Sequence, residues 1–335
     1  MKRLLWIGVG VIVVLASAGA GYALFHGAPP IPKGSSPELI MLAPPDANLL
    51  AFIDLTAVRK APVWSQIASA SKADAGKPYQ DFVDSTNFHI DTDLDHVLIT
   101  ASSESPDAAL IVLDGRFDQS KISQFVATKG ITSHHQTGDV YSFSMAPGSP
   151  MTAMMFVAPS RLAFGVGKGA ETNVLVLAAN IRDKSFQPRE DVVERVKHVG
   201  GSPFFAVGDM PKTNALAVAT LSGFGGDGVA NAIQSMSGWD FAMWMDGTTL
   251  RMALEGECAS IMDAIKVRVG LEKLRSKIKA LPTEPSRSKS DASSKAAMDA
   301  MARGFDITLD GSYIRMSLSF TEDDMKIIQA AAKKP

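Results

Sequence analysis

Apolar and polar residues alternate along several short stretches of this chain, and segments with helical spacing follow them. In Thr249–Glu255 the alternation is unbroken: Leu250, Met252 and Leu254 fall on one side of an extended strand, and Arg251, Ala253 and Glu255 on the other. Asp246-Gly247 is a two-residue hairpin signal that joins this stretch to Trp239–Met245. A long helix follows, ending by Pro282. The device recurs in Phe305–Leu309, Asp310-Gly311 and Tyr313–Phe320, with Ile314, Met316, Leu318 and Phe320 inward. Thr321 and Asp324 then have the spacing of a capping box for a last helix through Ala332.

The first half carries the same pattern. Asn48–Leu55 reads as a buried strand, and Arg59–Ala73 as a helix through Val63, Ile67 and Ala70. Residues 79–87 form a second helical piece. The acidic stretch HIDTDLD leads into a hairpin with strands near Val97–Ala101 and Ala109–Leu113. Asp118 is the expected N-cap of a helix carrying Ile122, Phe125 and Val126. Val140–Met145 alternates, with Tyr141, Phe143 and Met145 on one face. Met151–Ala158 and Arg161–Val166 form a hairpin, followed by helices over Ala170–Ala179 and after Pro188, the latter through Val192, Val193 and Val196. SPFFAVGDM (202–210) parallels NLLAFIDLT (48–56) as an entry strand. One-sided alternation predicts an α+β fold of antiparallel sheets covered on one face by helices, built from hairpin–helix units. The recurrence predicts a tandem duplication, with halves at 39–185 and 186–335.

The N-terminus has a different pattern. Leu4–Phe25 is a run of 22 uncharged, mostly apolar residues behind Lys2-Arg3. As a helix it would be roughly 33 Å long, the thickness of a bilayer's hydrocarbon core. Residues 1–25 therefore read as a transmembrane signal-anchor, single-pass, with a cytoplasmic N-terminus and the bulk of the chain periplasmic or otherwise extracytoplasmic. The alternative is a signal peptide cleaved at Ala16-Ser17-Ala18. Residues 26–38, rich in Pro, Gly and Ser, read as a linker, and the charged, low-complexity stretch 283–295 as a flexible loop.

Composition narrows the function classes. A content of 46% hydrophobic and 20% charged residues is that of a folded protein. A net charge of −2 gives no basic surface for nucleic acid. Cys258 is the single cysteine, so neither an internal disulfide nor a Cys-based zinc site can form.

No catalytic, cofactor-binding or metal-ligating residue is assigned. Gly165, Gly167 and Gly169 superficially resemble a dinucleotide fingerprint, but the strand before them is a hairpin arm where a parallel βαβ unit is required. Gly223–Gly228 has phosphate-loop glycine spacing, with Val229 and Ala230 where Lys and Ser/Thr are needed. His89, Asp91, Asp93, Asp95 and His96 are the densest set of metal-ligand types, but the glycine and terminal glutamate of a calcium loop are missing. His134 and His135, adjacent on a strand, point to opposite faces. Cys258 falls at an expected helix start, which favours packing but could lower a thiol's pKa. Methionines and tryptophans in the strands could fill the core or line a cleft for an apolar ligand.

The segments PPDANLLAFIDLTAVRKAPVWSQI, DFVDSTNFHIDTDLDHVLIT and VLDGRFDQSKISQFVATKG lie at 44–67, 81–100 and 112–130, within a similarity that covers roughly residues 42–180. They resemble a family of uncharacterised bacterial membrane-anchored envelope proteins. The resemblance implies a location and an architecture, with Asp118 a cap, Asp114 and Arg116 at a strand end and Asp91–Asp95 a turn; it carries over no site residues. The expected function is non-enzymatic binding or structural interaction, tethered to the bacterial inner membrane through residues 4–25, with an envelope protein as partner. A carrier or sensor of an apolar ligand is the first alternative, and a hydrolase outside the known motifs the second.

Overall fold

Glycine decides the geometry of the two tight hairpins in the second half. In a computed structural model of the chain, Gly247 and Gly311 have φ of 60° and 58°, a region closed to most side chains. Asp246 pairs with Thr249 and Asp310 with Tyr313, so the central turn residues are Gly247-Thr248 and Gly311-Ser312. Positive φ at the first central position alone is the type II′ arrangement. The Asp-Gly signal located both turns correctly, but the aspartate is the last residue of the strand in each.

The structure describes residues 31–32, 37–61, 79–102, 105–144, 150–183, 187–209, 236–279, 299 and 306–332. The expected N-terminal span, most of the Arg59–Ala73 helix, Met145, Gly223–Gly228 and the loop 283–295 lie outside them. Among the described residues no helix is long and apolar enough to cross a membrane. Ile31, inside the stretch read as a linker, is buried, as are Leu39 and Ile40 of a 3-10 helix at Glu38–Leu42.

The fold is α+β, and every pairing described is antiparallel. The chain divides into two compact units, based on Ser35–Ala206 and Val207–Pro335. The first holds β1 (Leu49–Asp54), β2 (Leu94–Ser102), β3 (Ser105–Gly115), β4 (Ile131–His135), β5 (Gly138–Ser144), β6 (Met151–Ala158) and β7 (Arg161–Val166). Its strand order is β1-β2-β3-β7-β6-β5-β4. Its helices are α1 (Leu55–Val58), α2 (79–86), α3 (Ile90–Asp93), α4 (Gln119–Ala127), α5 (Ala170–Asp183) and α6 (Glu190–Val199). The unit boundary falls within β8 (Phe204–Asp209). The second unit continues with β9 (Met236–Asp246), β10 (Thr249–Cys258), α7 (Ile261–Lys279), β11 (Asp306–Asp310), β12 (Tyr313–Phe320) and α8 (Glu322–Ala332). Its order is β8-β9-β10-β12-β11.

One expectation is overturned. The sheet of the first unit is covered on both faces. Phe164 and Gly165, adjacent on β7, point to opposite sides. Phe164 packs with Ile122 and Val126 of α4, Tyr141, Met154 and Leu162. A Cβ on Gly165 would stand 2.1 Å from the carbonyl oxygen of Ala170, the first residue of α5. The register puts Ala153 opposite Gly165 and Ala163 opposite Met155, so this second face is made of small residues and methionine, all buried. Small side chains let α5 approach closely, and their lack of polarity leaves no face for water. The near-continuous apolar runs MTAMMFVA and LAFGV were the available signal, since two-sided burial erases alternation. In the second unit, Ala253 and Glu255, expected outward on β10, are buried too.

Local signals survived. Asp118 accepts a hydrogen bond from the Lys121 amide at 3.1 Å, as an N-cap should. The Thr321–Asp324 box is closed in both directions, at 3.1 and 3.2 Å. Asn87, in the left-handed region with φ of 56°, ends α2. The polar strand β4 has no apolar alternation in ITSHH, and the sequence marked only its end, His134-His135, as extended.

Candidate functional site

The acidic stretch 89–95 is the sequence's densest candidate, and the fold gives the Asp93 and Asp95 carboxylates partners. Asp91 and Asp93 lie in the short helix α3, and Asp95 opens β2. Arg116, just past the end of β3, donates from Nη1 to both Asp95 oxygens at 3.0 and 3.1 Å, and from Nη2 to the Thr92 carbonyl. Arg59, after α1, approaches the same carboxylate at 3.4 Å and donates to the Leu94 carbonyl. Asp93 accepts from the His89 amide at 2.8 Å and from the Thr92 hydroxyl at 3.2 Å. Gly115 is required here, because a Cβ would meet the Asp93 carbonyl oxygen at 2.3 Å. Two guanidinium groups on the Asp95 carboxylate repel other cations from the cluster. His96 turns away, 3.8 Å from Asp54 and stacked on Phe52. The cluster is a staple joining α1, α3, β2 and the end of β3.

Beside it, α2 and α4 border an open groove of about 520 Å³. Asp81, Asp84 and Ser85 line one wall; Lys121, Gln124, Phe125, Thr128 and Lys129 line the other. Phe82 and Phe125 meet edge-to-face at 5.3 Å, and the Lys129 ammonium sits 5.2 Å from the Phe125 ring centre. The two hydroxyls are turned into the helices: Ser85 donates to the Asp81 carbonyl and Thr128 to the Phe125 carbonyl, both at 2.7 Å. A hydroxyl committed to its own helix backbone is not poised as a nucleophile. The groove can present opposite charges on opposite walls.

The remaining candidates separate. His134 contacts Asp139 at 2.7 Å, whereas His135 contacts Glu171 of α5 at 2.9 Å. The two imidazoles serve different partners, as their adjacency on β4 requires. Ser142 donates to the other Glu171 oxygen at 3.4 Å. Glutamate thus stands between serine and histidine, so the histidine cannot take the serine's proton. The glycines at 165, 167 and 169 make a strand-to-helix turn. A Cβ at Gly167 would lie 1.7 Å from the Asp107 carbonyl oxygen, and both Gly167 and Gly169 have positive φ. Cys258 is the last residue of β10 and not at a helix start. Burial pushes its thiol above the ordinary range, and the charges of Asp263 and Glu257 push the same way.

Two charged ladders escaped the sequence reading. Asp114 and Arg161 are cross-strand partners joined by two hydrogen bonds of 2.6 and 2.9 Å. In the second unit Asp240, Glu255 and Arg315 are register partners across β9, β10 and β12. Arg315 pairs with Glu255, and both acids are buried. Strand register, not residue spacing, brings these groups together.

No protein-family model and no curated protein matches the chain. Among solved structures, crystal form I of TP0453 is similar with a TM-score of 0.48 and 8% identity, over 89% of this chain and 99% of that one. Crystal form III of the same protein gives 0.47 and 10%, over 89% and 97%. The α+β description rests on the strands and helices described above, independently of these likenesses.

Proposed function

We propose that this chain is a bacterial membrane-tethered protein whose two α+β halves lie outside the cytoplasm and act by binding or structural interaction, without catalysis. The observation that carries the tether is the 22-residue run Leu4–Phe25 behind Lys2-Arg3. The non-catalytic reading draws on the side chains. The acidic turn is held by Arg59 and Arg116, the groove hydroxyls are bonded to helix carbonyls, and the Cys258 thiol is buried. Met154, Met155, Trp244 and Met252 are buried in packing, and the groove beside α2 is polar, so an envelope protein is a better partner than an apolar small molecule.

A tandem duplication accounts for the organisation of the halves. The order β1-β2-β3-β7-β6 matches β8-β9-β10-β12-β11, with β4 and β5 as an insertion. A helix follows the third strand in each series, α4 or α7, and another follows the last hairpin, α5 or α8.

Reporter fusions after Ala332 test the placement. An alkaline phosphatase fusion should be active and a green fluorescent fusion dark, with the protein in the membrane fraction resisting alkaline carbonate. Deleting residues 4–25 should abolish both properties. A fluorescent, soluble fusion of the intact chain refutes the reading.

A further inference from the structure

Helix α7 is apolar on two sides. Ala264, Val267 and Leu271 are buried beneath it, against β10, β11 and β12. Ile261, Met262, Ile265 and Val269 face away and are 58%, 62%, 39% and 49% exposed. At about 100° per residue these four make one stripe along three turns. The exposed Arg268 borders the stripe on one side, and Lys266, paired with Asp263 at 2.8 Å, on the other. The helix continues with Lys273, Arg275, Lys277 and Lys279 in its sequence. An exposed aliphatic stripe between basic residues is the pattern of a helix lying in a membrane interface, with its apolar face in the acyl boundary and its cations at lipid phosphates.

The position of this helix in the chain supplies the occupant. Ile31 is buried and belongs to the same compact unit as α7. It stands six residues beyond Phe25, and six residues span at most about 21 Å. A unit of about 130 residues has a radius of gyration of about 14 Å. If Leu4–Phe25 crosses the bilayer, the second unit is held against the membrane surface, within reach of any of its faces. We infer that the Ile261–Met262–Ile265–Val269 stripe of α7 docks on an anionic phospholipid surface and holds the second unit flat on the membrane. The inference rests on the tether reading above.

The test uses the full chain in proteoliposomes of phosphatidylcholine with and without phosphatidylglycerol. Cys258→Ala and Met262→Cys leave one thiol, labelled with an environment-sensitive nitrobenzoxadiazole dye. Docking predicts a blue shift and brightening in the anionic vesicles, quenching by lipid nitroxides placed near the headgroup, and loss of both in high salt or with Ile265→Ser and Val269→Ser. Flotation with the vesicles separates the two readings. If the protein floats with both lipids while the label reports water, this inference fails and the tether stands. If it does not float, the tether fails and takes the inference with it. A shift that grows with protein concentration and ignores lipid charge assigns the face to a second copy, which overturns the proposal.

Discussion

At the scale of single residues, several positions work through what they exclude. Gly165 has no room for a methyl group, because α5 begins 2.1 Å from where a Cβ would sit. Gly165→Ala should therefore lower stability by about 1–3 kcal/mol, the usual cost of overpacking. A urea midpoint unchanged from wild type would mean that α5 does not pack on this face. Cys258 is buried with its thiol pushed up, so little thiolate exists at neutral pH. Ellman's reagent should react with it only as the protein unfolds; rapid modification under native conditions would restore it as a candidate nucleophile. Asp118 and Glu171 illustrate the limit of reading by residue type. The first was legible because a cap depends on the next three residues only. The second could not be foreseen, because His135 and Ser142 reach it from strands 36 and 29 residues away in sequence.

At the scale of elements, caps and faces decide stability. Removing the hydroxyl of the α8 box with Thr321→Ala should cost about 1 kcal/mol in chemical denaturation. The start of α7 is acid-sensitive. Lys266 first, and then Ser260, hold the Asp263 carboxyl below its ordinary value of 3.8. The stability this contributes is present above that value and lost as pH falls through the lower, folded one. Amide protection factors in the first turn of α7, corrected for the intrinsic rate at each pH, should fall over that acid range, and Asp263→Asn should remove the pH dependence. The two-sided sheet gives a sharper contrast. Met154 and Met155 are adjacent, point oppositely and are both buried. Each should cost about 2–5 kcal/mol when changed to alanine. A one-sided sheet would tolerate one of the two.

At the scale of the whole molecule, the short segment at Ile31 is part of the second unit. Ile31→Asp should lower that unit's denaturation midpoint, read from Trp239 and Trp244, whereas a free linker would accept the change. The sequence alone determined the elements whose causes are local: the hairpins at Gly247 and Gly311, the Asp118 and Thr321 caps and the entry strands. Turn geometry, capping and hydrophobic period all act within a few residues, so they can be read along the chain. Only the tertiary structure decided which faces are covered, that Asp95 lies between Arg59 and Arg116, and that Asp114 meets Arg161 and Glu255 meets Arg315. Those outcomes depend on strand register and on helices that return from distant sequence, and a one-dimensional pattern does not encode either.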